Sequence, residues 1–238
     1  MIICLSVDGW MFWDNVAGIY DVFVNVINRK THRKLKWIIA ALIEPGDVVL
    51  ECACGTGLLS AVIAQKCRHL TATDFSRKRL KKAEQHSRDY RNITYARADI
   101  TALAFPDGSF DKVVAGNVIH LLDNPLTALH ELDRVCKDGG MLIIPTYMNK
   151  DAKGKTSGFA GAVGKAGADF KRQFSVDSYK QFFRDAGYHD VKVSLADGRI
   201  PCAVAVMRKI RRKEINENLW KCPQFDEEEA MKQCSLES

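Results

Sequence analysis

The segment that most constrains this chain is Glu51-Cys52-Ala53-Cys54-Gly55-Thr56-Gly57. It follows the apolar run Val48-Val49-Leu50 and leads into a helical stretch, Leu58–Gln65. A short, continuous apolar run suits a strand buried on both faces of a parallel sheet. Glycines at a strand-to-helix turn let the main chain approach a ligand closely and take backbone angles that other residues resist. In open α/β sheets, ligands bind outside the carboxyl ends of the strands. The turn therefore marks the place to look for a site, although a glycine pair alone is a weak signal.

The rest of the chain supplies the alternation such a sheet needs. Strand-like Leu70–Thr73 is followed by a charged helix over Ser76–Arg88, then Ile93–Ala96, Phe110–Ala115, a helix over Pro125–Val135 and Met141–Ile144. This βαβα rhythm predicts a Rossmann-like, doubly wound α/β fold with a mostly parallel sheet and helices on both faces. A helix over Val176–Ala186, ended by Gly187, precedes two further strands, Val191–Leu195 and Cys202–Met207, with Asp197-Gly198 in the turn between them. Seven strands result. Ahead of the sheet, Asn15–Ile43 reads as helical, with Val16, Ile19, Tyr20, Phe23, Val26 and Ile27 at helical spacing. Residues 1–45 are read as a helical lid, 46–209 as the core domain and 210–238 as a peripheral tail. Residues 148–174, rich in glycine and lysine, read as an insertion that caps the substrate.

Two acids sharpen the reading of the turn. Asp74 closes the second strand, where a carboxylate can receive both hydroxyl hydrogens of a ribose. Asp99 follows the third, placed to accept from an adenine amino group. The loop thus suits an adenosyl group. A nicotinamide fingerprint requires G-x-G-x-x-G, and here Leu58-Leu59-Ser60 follows Gly57, so the third glycine is missing. Glu51 would also repel a pyrophosphate, whereas it favours a ligand carrying an ammonium and a sulfonium. No Gly-Lys-Ser/Thr of a P-loop occurs at this turn. S-adenosylmethionine is preferred over NAD.

At this point the stretch from Val48 to Tyr147 resembles the class I S-adenosylmethionine-dependent methyltransferases, in particular the small-molecule group that includes the ubiquinone/menaquinone-biosynthesis C-methyltransferases. The matching motifs are VVLECACGTG at 48–57, Thr73–Ser76, Ala98-Asp99, Phe105–Asp111 leading to Asn117–Leu121, and Arg134–Gly140. Ala53 stands where the family usually has its first glycine. The resemblance implies that Glu51 and the loop from Ala53 and Cys54 to Gly55 and Gly57 hold the methionine end. It implies Asp74 at the ribose hydroxyls, with Phe75 beside it among the cofactor-binding residues, Asp99 and the Ile100 amide at adenine, and the Asn117 backbone at the methionine amino group. Tyr20, in Tyr20-Asp21, resembles a lid residue over the cofactor, with a core tyrosine as the alternative. His120, beyond the fourth strand, is the candidate general base, with a structural histidine as the alternative.

Charge and cysteine content narrow the partners. The net charge of +6, from 35 Lys+Arg against 29 Asp+Glu, is spread along the chain apart from Arg77–Lys82 and Arg208–Lys213. A solvated surface is favoured over nucleic-acid binding. No apolar run approaches the roughly 20 residues of a membrane span. The eight cysteines lie mostly in apolar stretches, and the Cys52-x-Cys54 pair has no second pair to complete a zinc site; reduced thiols in the cytoplasm and no metal are expected. The function expected is methyl transfer to a small-molecule acceptor. The alternatives are an RNA- or protein-directed methyltransferase and a non-catalytic cofactor-binding protein.

Overall fold

The computed structural model describes residues 28–148 and 171–209. Tyr20 and most of the expected lid, residues 149–170 of the insertion and the 210–238 tail lie outside the described residues.

Val48, Val49 and Leu50 offer polar groups to neither face, and β1 (Val48–Cys52) accordingly lies third from one edge of the sheet, between two parallel neighbours. The others are β2 (His69–Asp74), β3 (Ile93–Arg97), β4 (Phe110–Ala115), β5 (Cys136–Tyr147), β6 (Lys192–Ala196) and β7 (Cys202–Arg208). Their order in the seven-stranded sheet is β3-β2-β1-β4-β5-β7-β6. β1 to β5 run parallel, and β7 enters antiparallel between β5 and β6. The expected architecture is the observed one.

The helices are α1 (Arg29–Leu42), α2 (Ser60–Ala64), α3 (Arg77–His86), α4 (Pro125–Val135) and α5 (Val176–Asp185). Sequence-local signals set their starts. Ser76 caps α3 by accepting from the Arg79 amide, and Asn124 with Pro125 opens α4. Ser175 and Ser178 form a reciprocal capping box on α5.

Alternate residues of β1 and β4 feed two cores. Leu50, Cys52, Val113 and Ala115 face Leu129 and Leu132 of α4 and Tyr179 and Phe183 of α5. Val49 and Val114 face Leu35 and Ile39 of α1, Ile63 of α2 and Leu80 of α3. Each fully buried Val, Leu, Ile or Phe among them contributes roughly 1.5–3 kcal/mol. Among the described residues, no helix is long and apolar enough to cross a membrane.

α1 falls inside the helical stretch expected over 15–43, of which residues 15–27 lie outside the described residues. One element departs from expectation. β5 begins at Cys136, so Asp138-Gly139-Gly140 lies inside it rather than ahead of it. There the pairing steps from Phe110↔Cys136 to Lys112↔Met141, an irregularity that absorbs the glycines and the left-handed backbone of Gly139.

Candidate functional site

Strand order reverses between β1 and β4, because β2 lies on one side of β1 while β5 continues on the far side of β4. Chains leaving the two strands must diverge, which opens a crevice at their carboxyl ends. The backbone there is unusual. Ala53 after β1 and Asn117 after β4 both adopt left-handed angles (φ 54° and 55°), and Gly55 and Gly57 do so at 59° and 84°. For a non-glycine residue this conformation costs about 1–2 kcal/mol. Such strain gathers where a turn must be held for a ligand.

Hydrogen bonds fix the loop against the neighbouring strand ends. The Cys54 amide donates to the Thr73 carbonyl at 2.9 Å, and the Gly57 amide to the Cys54 carbonyl at 3.0 Å. The Gly55 amide donates to Asp74 Oδ2 at 2.9 Å. After β4, the Asn117 amide donates to the Pro145 carbonyl at 2.7 Å. Space is tight: a methyl group on Gly57 would sit 3.1 Å from Ala83, and one on Gly116 would sit 3.1 Å from Leu59 Cδ1.

Glu51 is the chemically distinctive group. It is buried, and Ser60 Oγ at the start of α2 donates to its Oε2 at 2.6 Å. Burial pushes its carboxyl up to about 8, with a smaller push from the nearby Asp74 charge and an opposing pull from the Ser60 hydrogen bond. A desolvated carboxylate of this kind gains most from a cation placed against it.

The two downstream acids differ. Asp99, half-buried after β3, accepts the Thr101 amide and hydroxyl, both on Oδ1, at 2.9 and 2.7 Å. Ile100 beside it is buried. Asp74 is enclosed, with Gly55 on one oxygen and the Ser76 amide and Arg79 guanidinium on the other. Phe75 is covered by the Arg97 guanidinium, 4.5 Å from the ring centre, which also donates to the Phe75 carbonyl at 2.9 Å.

Glu51, Ala53, Cys54, Gly55, Gly57 and Asp74 are therefore joined around one turn. Asp99 and Ile100 are next along the same edge, and the Ala98 amide donates to the Asp74 carbonyl at 3.2 Å. His120 is a poor base at neutral pH. It is 2% exposed in a single 3-10 turn, Ile119–Leu121, and burial pushes its imidazole down to about 4. Cys54 is packed in the core, and burial pushes its thiol well above the usual range.

Sequence reasoning overlooked three contacts. The capping pattern D-F-S-x-x-R offered a signal for Arg79, which lies in the first turn of α3, five residues after Asp74. Ser60 as the partner of Glu51 and the short His32–Tyr147 contact between α1 and β5 had none.

Comparison with known proteins agrees with this geometry. Residues 50–144 match the family model described as a methyltransferase domain. Over that stretch, 95 of its 238 residues, the chain is similar to methyltransferase domains. A demethylmenaquinone methyltransferase of Renibacterium salmoninarum is 34% identical over 137 residues, covering 57% of this chain and 56% of that protein. One from Staphylococcus haemolyticus is 26% identical over 211 residues, covering 79% and 88%. The chain thus spans little more than half the length of the first of these relatives. Among solved structures, a possible histamine N-methyltransferase of Thermotoga maritima shares the fold, with a TM-score of 0.63 and 19% identity over 84% of this chain and 99% of the other. The matched stretch begins at Leu50, within β1, ends within β5, and so takes in the carboxyl ends of β1 and β4.

Proposed function

We propose that this protein transfers a methyl group from S-adenosylmethionine to a small-molecule acceptor. The observation that carries the reading is Glu51, a buried carboxyl group at the strand-order reversal, flanked by a loop of left-handed residues. The donor set fits the cofactor: Glu51 suits its ammonium, Asp99 its adenine amino group, and the Gly55–Gly57 main chain leaves room for a close approach. Asp74 fits its ribose only after a rearrangement. When bound, the cofactor supplies an electrophilic methyl carbon on a sulfonium.

The chain's own work is orientation and exclusion of water. Ala53, Gly55 and Gly57 hold the turn open. Leu59, packed on Gly116, closes the apolar side of the crevice. Methyl transfer dissipates positive charge, so alignment and a dry site account for most of the acceleration. His120 is read as a buried, neutral structural histidine, with the acceptor's proton leaving by another route. The demethylmenaquinone names of the relatives favour a small acceptor over RNA or protein. Among the described residues, the cysteines Cys52, Cys54, Cys67, Cys136 and Cys202 are buried and free, in keeping with a reducing setting such as the cytoplasm.

Calorimetry with S-adenosylhomocysteine, S-adenosylmethionine and NAD tests the cofactor. Binding of the first two without NAD is expected, and tight NAD binding with no response to S-adenosylhomocysteine would refute the reading. A steep loss of affinity for RNA with salt, alongside RNA methylation, would favour the nucleic-acid alternative.

A further inference from the structure

The carboxylate best placed for a ribose is the one least able to receive it. Asp74 ends β2 at the rim of the crevice, yet its side chain has no exposed surface. Oδ2 accepts the Gly55 amide at 2.9 Å. Oδ1 accepts the Ser76 amide at 2.8 Å and Arg79 Nη2 at 2.9 Å. A carboxylate offers about four lone-pair sites, so three are filled before any ligand arrives, while two hydroxyls need two.

The three donors are not equally replaceable. The Gly55 amide belongs to the glycine turn, and the Ser76 amide belongs to the residue that caps α3. Moving either would shift the turn or unseat the helix. The guanidinium sits at the end of a long, rotatable stem, with its side chain 18% exposed against 0% for Asp74. It can therefore leave by rotation about side-chain bonds alone. Its departure uncovers Oδ1 and restores the negative charge that a cationic ligand would meet.

We propose that Arg79 is a gate on the ribose subsite: it occupies Asp74 in the ligand-free protein and must swing away before a ribose diol can bind. The proposal rests on the adenosyl-cofactor reading above. It makes Arg79 a determinant of cofactor affinity. Each binding event breaks a charge-assisted hydrogen bond that a chain without the guanidinium never forms. Asp99 carries no such obstruction, since its two donors come from its own turn residue, Thr101. The adenine end is ready for its ligand and the ribose end is latched.

The test compares the parent with Arg79→Met, which keeps the stem and removes the guanidinium, and with Arg79→Lys, which keeps a cation without the planar fork. S-Adenosylhomocysteine is titrated calorimetrically into each, and circular dichroism checks the fold. Arg79→Met should bind about 10-fold tighter or more, the worth of one hydrogen bond to a charged group, with Arg79→Lys between it and the parent. Adenosine should gain by the same factor in competition, and 2′,3′-dideoxyadenosine, which lacks the diol, should gain nothing. Equal or weaker binding of S-adenosylhomocysteine by folded Arg79→Met would overturn the gate, as would an equal gain for the dideoxy nucleoside. If Arg79→Met does not fold, Arg79→Lys decides alone, and affinity no higher than the parent's overturns the gate. Failure of every chain to bind S-adenosylhomocysteine would instead overturn the cofactor reading, and the gate with it.

Discussion

Replacing Glu51 by glutamine should remove most of the pH dependence of stability near neutrality. In the unfolded chain this carboxyl titrates at 4.5, and in the fold burial raises it to about 8. The folded protein therefore favours the protonated form. The contribution of Glu51 is intact below pH 4.5 and is lost as pH rises through 8. At about 1.4 kcal/mol per pH unit the full loss approaches 5 kcal/mol.

Other groups limit where this can be seen. Burial lowers His32 and His120 to about 4, so their contributions are lost as pH falls below 6.5. The buried thiols ionise in the unfolded chain only near pH 9. Between pH 6.5 and 8 Glu51 loses roughly 1–2 kcal/mol, offset in part by about 0.4 kcal/mol regained at each of the two histidines, so the comparison with the glutamine variant isolates its share. That corresponds to a fall of roughly 3–6 °C in melting temperature for a chain of this size. Glutamine keeps the shape and can still accept from Ser60 Oγ, but it has no proton to lose. Urea titrations of both chains at pH 6.5, 7.25 and 8, with ligand removed, measure the difference. Parallel loss of stability in the two chains would refute the assignment of the slope to Glu51.

Three further substitutions test the frame around the site. Gly57→Ala combines a φ of 84° with contacts at 3.1 Å to Ala83, whereas Gly55→Ala at 59° meets nothing within 4 Å. Urea unfolding should show a loss of about 1–2 kcal/mol for Gly55→Ala and roughly 1–3 kcal/mol more for Gly57→Ala. Tyr179→Phe removes a hydroxyl that donates to the Ile144 carbonyl at 2.6 Å and lies 3.0 Å from Thr146 Oγ1. It should cost about 1–2 kcal/mol in the same assay with the sheet intact by circular dichroism.

What the sequence shows of this fold follows from where its signals are local. Phe110–Ala115 and Pro125–Val135 are read to the residue, because a buried parallel strand and an Asn-Pro helix start are written in adjacent positions. That Glu51, Gly55, Gly57 and Asp74 gather at one turn is legible because a glycine turn and the acid of the next strand keep a fixed spacing. The state of those residues was not. Whether Asp74 is open or latched depends on the rotamer of Arg79, and the burial of Glu51 depends on α2 closing over it through Ser60. The left-handed turn at Ala53 also escaped, since alanine there looked like a small stand-in for glycine. Its backbone shows that the glycine geometry is kept and the strain accepted.

Lys209 has a consequence for handling the molecule. Its ammonium donates to the carbonyls of Asp133, Arg134 and Cys136 where α4 hands over to β5, and its main chain pairs with Gly139 and Gly140. β7 runs against β5, so this fastening lies at the amino edge of the sheet, seven residues and roughly 23 Å of strand from Cys202 beside the crevice. A tether grafted directly after Lys209 would therefore leave from the side opposite the ligand entrance. Anchored to a sensor surface in that way, the domain would face its crevice outward, and a pull on the tether would load β7 and α4 before it reached the glycine turn.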